Sequence, residues 1–149
     1  MLQVSIEKAT HYDLPLFAEM EQVDGTSEFI SQYSLDEHHR KFDEPQITYL
    51  RITNAGAIVG FFILALEPDG TSVEFRRIVV SDKGNGIGQV GIRQMEEFCK
   101  DELGRSRIWL DVLETNYIGR HIYDKLGYQQ FGEQESQGER LLLCEKQIH

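Results

Sequence analysis

The chain has 149 residues, 40% of them apolar and 27% charged, with a net charge of −10. This is one domain, 1–149, large enough to bury roughly two-thirds of its unfolded surface without disulfide or metal staples. An acidic surface repels phosphate backbones and anionic lipid, so neither nucleic acid nor a membrane is expected as the main partner. The acidity is uneven: residues 1–75 hold 13 acids and 4 bases, residues 76–149 hold 12 acids and 11 bases. Met1–Lys8 shows no basic stretch followed by an apolar one, so no signal peptide is visible. Cys99 and Cys144 have no CxxC spacing and fit a reducing compartment, the cytoplasm, as small core residues.

Val4–Lys8 alternates apolar and polar, as a short strand does. A helix is expected near Asp13–Gln22, with Asp13 as its cap and Leu14, Phe17, Ala18 and Glu21 at helical spacing. Asp24-Gly25-Thr26-Ser27 breaks it, and a second helix runs from Leu35 to Phe42 behind the cap Ser34. Ile47–Thr53 and Ile58–Leu66 read as strands of a hairpin turning at Asn54-Ala55-Gly56. Pro68-Asp69-Gly70 is a further turn, and Val73–Val80 a third strand of an antiparallel meander.

The period then changes. Ile92, Met95, Cys99 and Leu103 recur on one face of a long helix ending at Gly104. Ile108–Leu113 is a buried-looking strand, which a crossover should place parallel to Val73–Val80. Asn116–Leu126 is a helix stopped by Gly127, and Tyr128–Gly132 and Leu141–Cys144 are closing strands. The fold class is therefore α/β, with a mixed sheet. His38 and His39 are adjacent and do not share a helical face, so packing or solvation is expected rather than metal binding. Trp109 is expected in the core.

Lys83-Gly84-Asn85-Gly86-Ile87-Gly88-Gln89 lies between a strand and a helix. Closely spaced glycines admit a ligand to the backbone, and a helix N-terminus offers free N–H groups and a positive dipole end. That combination suits a phosphate. A P-loop would end in Gly-Lys-Ser/Thr, and a dinucleotide fingerprint would carry glycine where Gln89 stands, so both fail.

The loop resembles the acyl-CoA pyrophosphate loop of the GNAT N-acetyltransferases, with Lys83 where arginine or glutamine is usual. The resemblance continues through Glu74–Val80, through Leu110–Asn116 and through Ile122–Tyr128, and so covers 73–132. It implies the GNAT fold, a central, mostly antiparallel sheet flanked by helices. It implies a metal-free transfer of acetyl from acetyl-CoA to a small-molecule or peptide amine by direct attack. A homodimer is compatible with it. Ile78, Val79 and Val80 would run beside the pantetheine arm, and the amides of Gly84, Asn85, Gly86, Ile87, Gly88 and Gln89 would cradle the pyrophosphate. Asn116 would contact pantetheine, and Arg120 and Lys125 would reach nucleotide phosphates. Glu74 would be the base and Tyr123 the acid that protonates the thiolate, a phenol being protonated at neutral pH. Phe29, Tyr33, Glu74 and the turn 133–139 would line the acceptor side, so the acidic half would receive a cationic amine. A non-catalytic acyl-CoA sensor on the same scaffold would keep the loop and Asn116 and dispense with the acid and base.

Overall fold

The computed structural model describes residues 2–22, 32–81 and 85–149. Seven strands form one sheet: β1 (Val4–Lys8), β2 (Ile47–Asn54), β3 (Ala57–Leu66), β4 (Ser72–Val80), β5 (Arg107–Leu113), β6 (Gln129–Ser136) and β7 (Glu139–Gln147). Their order across the sheet is β1-β2-β3-β4-β5-β7-β6. Four helices flank it: α1 (Leu14–Met20), α2 (Leu35–Phe42), α3 (Ile87–Asp101) and α4 (Tyr117–Lys125). No helix is long and apolar enough to cross a membrane, among the described residues.

Local chemistry accounts for most of these elements. Ser34 accepts the Glu37 N–H at 3.1 Å while Glu37 accepts the Ser34 N–H at 3.0 Å, a reciprocal cap that starts α2 where the sequence placed it. Asp13 stands at the N-cap of α1, as expected, but its side chain turns the other way. Its carboxylate accepts the Thr10 N–H at 2.9 Å and closes a 3-10 turn at His11–Asp13, leaving α1 without a side-chain cap. The β2–β3 hairpin turns on Ala55 and Gly56, both at positive φ, the twist that a two-residue turn requires.

β3 is buried from Gly60 through Ala65, and this explains its unbroken apolar run. Helices cover both of its faces. On one face Phe61, Ile63, Tyr49 and Val79 pack with Leu14, Phe17 and Met20 of α1. On the other, Leu50, Ile52, Phe62, Leu64, Val73 and Phe75 pack with Ile87, Ile92, Met95 and Cys99 of α3, and the cluster continues to Ile108, Leu110 and Val112. Trp109 is not in this core. It is half-buried on the opposite side of β5 and donates its indole N–H to Glu67 Oε1 at 3.1 Å. The closing strands run longer than the sequence suggested, so 133–136 is strand rather than turn, and the hairpin turns at Gln137-Gly138.

The crossover places β4 and β5 parallel, as expected, but their pairing covers only Ser72–Arg107, Val73–Ile108 and Glu74–Trp109. Beyond it, β4 pairs only with β3 and β5 only with β7. The parting coincides with a bulge. Ile63 opposes Arg77 and Leu64 opposes Phe75, so Arg76 is an extra residue on β4. An extra residue bends and twists its strand, and here β4 leaves β5 at that point.

Gly60 holds the other side of β4. A Cβ there would stand 2.2 Å from the Val79 carbonyl oxygen. Backbone must then shift, so Gly60→Ala should cost about 1–3 kcal/mol in denaturant unfolding, with the β3–β4 amides losing hydrogen-exchange protection first.

Candidate active site

The gap between β4 and β5 is the centre of the site. Strand alternation distributes the side chains around it. Glu74, Trp109 and Asp111 lie on the sheet face that carries α1 and α2, whereas Phe75, Leu110 and Val112 belong to the cluster beneath α3 and α4.

Glu74 is largely covered, and Arg76 donates to its Oε1 from Nε at 3.2 Å and from Nη2 at 2.9 Å. This carboxylate is therefore compensated by its neighbour two residues along. Asp111 is different. It makes no hydrogen bond or ion pair with another described residue, and its side chain reaches solvent at the mouth of the gap. Desolvation by the surrounding strands raises its pKa first and the nearby negative charge of Glu74 second, with Arg76 opposing them. Sequence inspection passed over Asp111 as one acid within a strand. The available signal was an acid at the outward position of an otherwise apolar Ile108–Leu113.

Tyr123 stands on the other side of the gap. It is half-buried on α4, with its ring edge-on to Phe75 at 5.9 Å and to Tyr128 at 6.0 Å. Burial, then the charges of Asp111 and Cys144, push its phenol up to about 12. Two carboxylates thus face the gap from the α1–α2 side and one protonated phenol from the α3–α4 side.

At the far end of β4 the chain enters α3. Lys83 and Gly84 lie outside the described residues, as does Phe29. Gly86 sits at φ 79° as the residue before the helix, Asn85 is exposed, Ile87 is buried and Gly88 and Gln89 are half-buried. Among the described residues, a Cβ on Gly88 would meet only the Val80 side chain, at 3.9 Å, so the first turn of α3 lies beside the end of β4. Ile78 and Val80 pack toward the α3 cluster and Val79 toward α1, while the backbone of all three borders the gap. The donor set fits an elongated thioester with a diphosphate: free strand edges along the arm, and helix N–H groups at its anionic end.

Asn116 caps α4, its Oδ1 accepting the Gly119 N–H at 3.0 Å. Arg120 donates to the Glu114 carbonyl at 2.8 Å and lies 5.7 Å from the Tyr117 ring, so one of its nitrogens is already engaged. Lys125 is exposed at the last turn of α4. Tyr33 is half-buried, its ring 3.9 Å from the Arg77 guanidinium carbon. On the same face an open cleft of about 710 Å³ is lined by Gln46, Ala65, Glu67, Arg76 and Arg105 among others, and Arg76 joins it to Glu74. Neither histidine of the 38–39 pair is solvated as a unit. His38 is fully buried, whereas His39 is half-buried and stacks on His11 at 5.8 Å.

A mixed sheet whose parallel pair opens beside a glycine-started helix is the frame on which the comparison with known proteins bears. A sequence profile of the acetyltransferase (GNAT) family matches residues 14–128. The chain belongs to that family and is an acyltransferase. A Bacillus subtilis (strain 168) protein, provisionally named ribosomal protein bS18-alanine N-acetyltransferase, is 27% identical over 107 residues, 71% of this chain and 70% of that one. The Escherichia coli ribosomal-protein-S18-alanine N-acetyltransferase superposes with a TM-score of 0.80 at 17% identity, covering 98% of this chain and 94% of the other. The Vibrio cholerae spermidine N-acetyltransferase in complex with CoA and spermine superposes at 0.84 with 16% identity, covering 98% and 96%.

The raised pKa of Asp111 has a definite sign. An acid that binds its proton more tightly when folded costs stability as the pH rises from its unfolded pKa through its folded one, and the full cost stands above both. Asp111→Asn should therefore leave the thermal midpoint unchanged at low pH and raise it at neutral pH. In an NMR titration, Asp111 should titrate above the ordinary aspartate value of about 3.9.

Proposed function

We propose that this acyltransferase moves an acetyl group from acetyl-CoA to a primary amine by direct attack in a ternary complex. The observation that carries the reading is the gap between β4 and β5, with Asp111 and Glu74 on one face and Tyr123 on the other. A thioester carbonyl lying in that gap is open to an amine arriving over the α1–α2 face. Its sulfur would leave toward α4.

An ammonium ion has no lone pair, so a proton must leave before attack. Glu74 is one candidate base, directly or through water. The hydrogen bonds from Arg76 favour Asp111 instead, because they compensate Glu74 and leave Asp111 with an unpartnered carboxylate of raised pKa. In this reading Asp111 takes the proton, and Glu74 with Arg76 holds the rim. Free N–H groups of Ile78 or Val80 would stabilise the oxyanion. Tyr123, with its phenol near 12, remains protonated throughout the working range. An ordinary thiol titrates at about 8.5, so Tyr123 assists the leaving sulfur by donating a hydrogen bond rather than by complete proton transfer, and the departing thiolate takes the second proton, the one the nitrogen loses as the amide forms.

Direct attack is supported by the state of the thiols. Burial pushes Cys99 up to about 12, and its sulfur contacts Met95 Sδ at 3.6 Å in the core. Burial also raises Cys144. Neither supplies a thiolate at neutral pH to carry an acyl intermediate. The amides of Gly86 to Gln89, with Lys83, Gly84 and Asn85 before them, would hold the pyrophosphate, and Asn116, Arg120 and Lys125 would flank the arm and nucleotide. Phe29 and Tyr33 would line the acceptor side. Relatives named for ribosomal-protein alanine and spermidine supply the acceptor classes to try.

The test is release of free CoA from acetyl-CoA across spermidine, kanamycin and a peptide beginning with alanine. Turnover with at least one amine is expected; CoA binding without turnover for any would favour the sensor. Tyr123→Phe should lower kcat by about tenfold to hundredfold while the acetyl-CoA KM stays within twofold. An unchanged kcat would remove Tyr123 from the chemistry.

A further inference from the structure

Behind the acceptor face, four polar side chains from four elements meet in the core. Glu21, just past α1, is wholly buried, and so is His38 of α2. Tyr49 of β2 is 3% exposed and Arg77 of β4 is 8% exposed. Glu21 Oε1 lies 2.5 Å from His38 Nε2, and Arg77 Nη1 donates to Glu21 Oε2 at 2.5 Å. His38 Nδ1 lies 2.7 Å from the Tyr49 hydroxyl. A carboxylate can only accept, so Nε2 carries a proton toward Glu21, while Nδ1 and the Tyr49 hydroxyl, which can donate or accept, share the second hydrogen bond.

One further residue is held by this cluster. The Tyr33 N–H donates to Glu21 Oε1 at 3.4 Å, its ring lies against the Arg77 guanidinium, and His38 meets it edge-on at 5.4 Å. Lys41 lies over the same ring at 4.6 Å. Both the backbone and the ring of Tyr33 are thus fixed by groups that converge on Glu21. Arg77 also directly follows the bulge residue Arg76, so the same ion pair holds β4 where it turns from β5.

We propose that Glu21 is a positioning residue of the acceptor side: through Arg77 and His38 it sets Tyr33 and the bend of β4 around the incoming amine. This rests on the reading that the amine arrives over the α1–α2 face. The physical ground is the cost of the arrangement. Buried charges are expensive to desolvate, and apolar groups of the same volume often match or exceed a buried ion pair in stability. What such a pair supplies is a fixed geometry, and here that geometry is passed to Tyr33, a half-buried residue packed against Arg77. The Arg77 Nε is buried without a partner among the described residues, so the guanidinium is held only through Glu21 and the Tyr33 ring.

The experiment compares Glu21→Gln, the double variant Glu21→Gln with Arg77→Met, and Tyr33→Ala. Glu21→Gln leaves a guanidinium buried without its anion and should lower the thermal midpoint by about 10 °C. The double variant removes that stranded charge and should recover most of the midpoint. It should not recover the acceptor KM, measured with the fastest amine of the panel, which stays raised at least about tenfold while the acetyl-CoA KM stays within twofold. Amide exchange at residues 32–34 should quicken in both Glu21 variants, with β2–β3 protection kept in the double. A double variant with wild-type acceptor KM and wild-type exchange at 32–34 would overturn the proposal and leave the cluster a structural one. If Tyr33→Ala leaves the acceptor KM untouched while the Glu21 variants quicken exchange at 32–34, the acceptor reading fails and the link from Glu21 to Tyr33 stands.

Discussion

The site depends on one extra residue in β4. Arg76 has no partner on β3, and the strand turns there, so the only parallel pair in the sheet lasts for three residues and then opens. Elsewhere a sheet that opened at its centre would expose unpaired backbone at a cost. Here β3 and β7 close the outer edges of both strands, and the inner edges face a space shaped for a ligand arm. The bulge also fixes the electrostatics. It brings the Arg76 side chain back onto Glu74, and with β4 turned aside Asp111 is left without a basic neighbour in contact.

The uneven charge of the sequence resolves at this same place. Acids of the first half meet bases of the second across the sheet: Glu21 with Arg77, Glu74 with Arg76, and Asp69 with Arg105 at 4.0 Å. Three acids of the first half near the cleft are therefore compensated by arginines of the second, two of them, Arg76 and Arg77, just past the midpoint of the chain. Among the described residues around the gap, the acid without an ion pair is Asp111, which belongs to the nearly neutral half.

The order of elements was legible because each carries its own period and punctuation. Ser34 with Glu37 marks the start of α2, and Asn54-Ala55-Gly56 marks a hairpin. The apolar run Phe61–Ala65 reads as a central strand. The glycine loop and the segments around Asn116 and Tyr123 were legible for the same reason, as local patterns at fixed spacing. Asp111 left only a faint signal, an acid at the outward position of an apolar strand, which does not by itself tell an opened sheet edge from a solvated face. Glu21 and His38 were legible only in part: the helical spacing put Glu21 in line with Leu14 and Phe17, and packing was one expectation for His38, but no local pattern joined the two. Only their meeting with Arg77, 56 positions on from Glu21, makes burial tolerable.

The sequence by itself determined the α/β class, the succession of strands and helices, and the family, since these follow from periodicity, caps and local motifs. The tertiary structure decided that β7 inserts between β5 and β6, that β4 parts from β5 at Arg76, and which carboxylates keep an arginine. Those outcomes depend on pairings between residues far apart in the chain, where register and charge compensation are settled by packing rather than by neighbours.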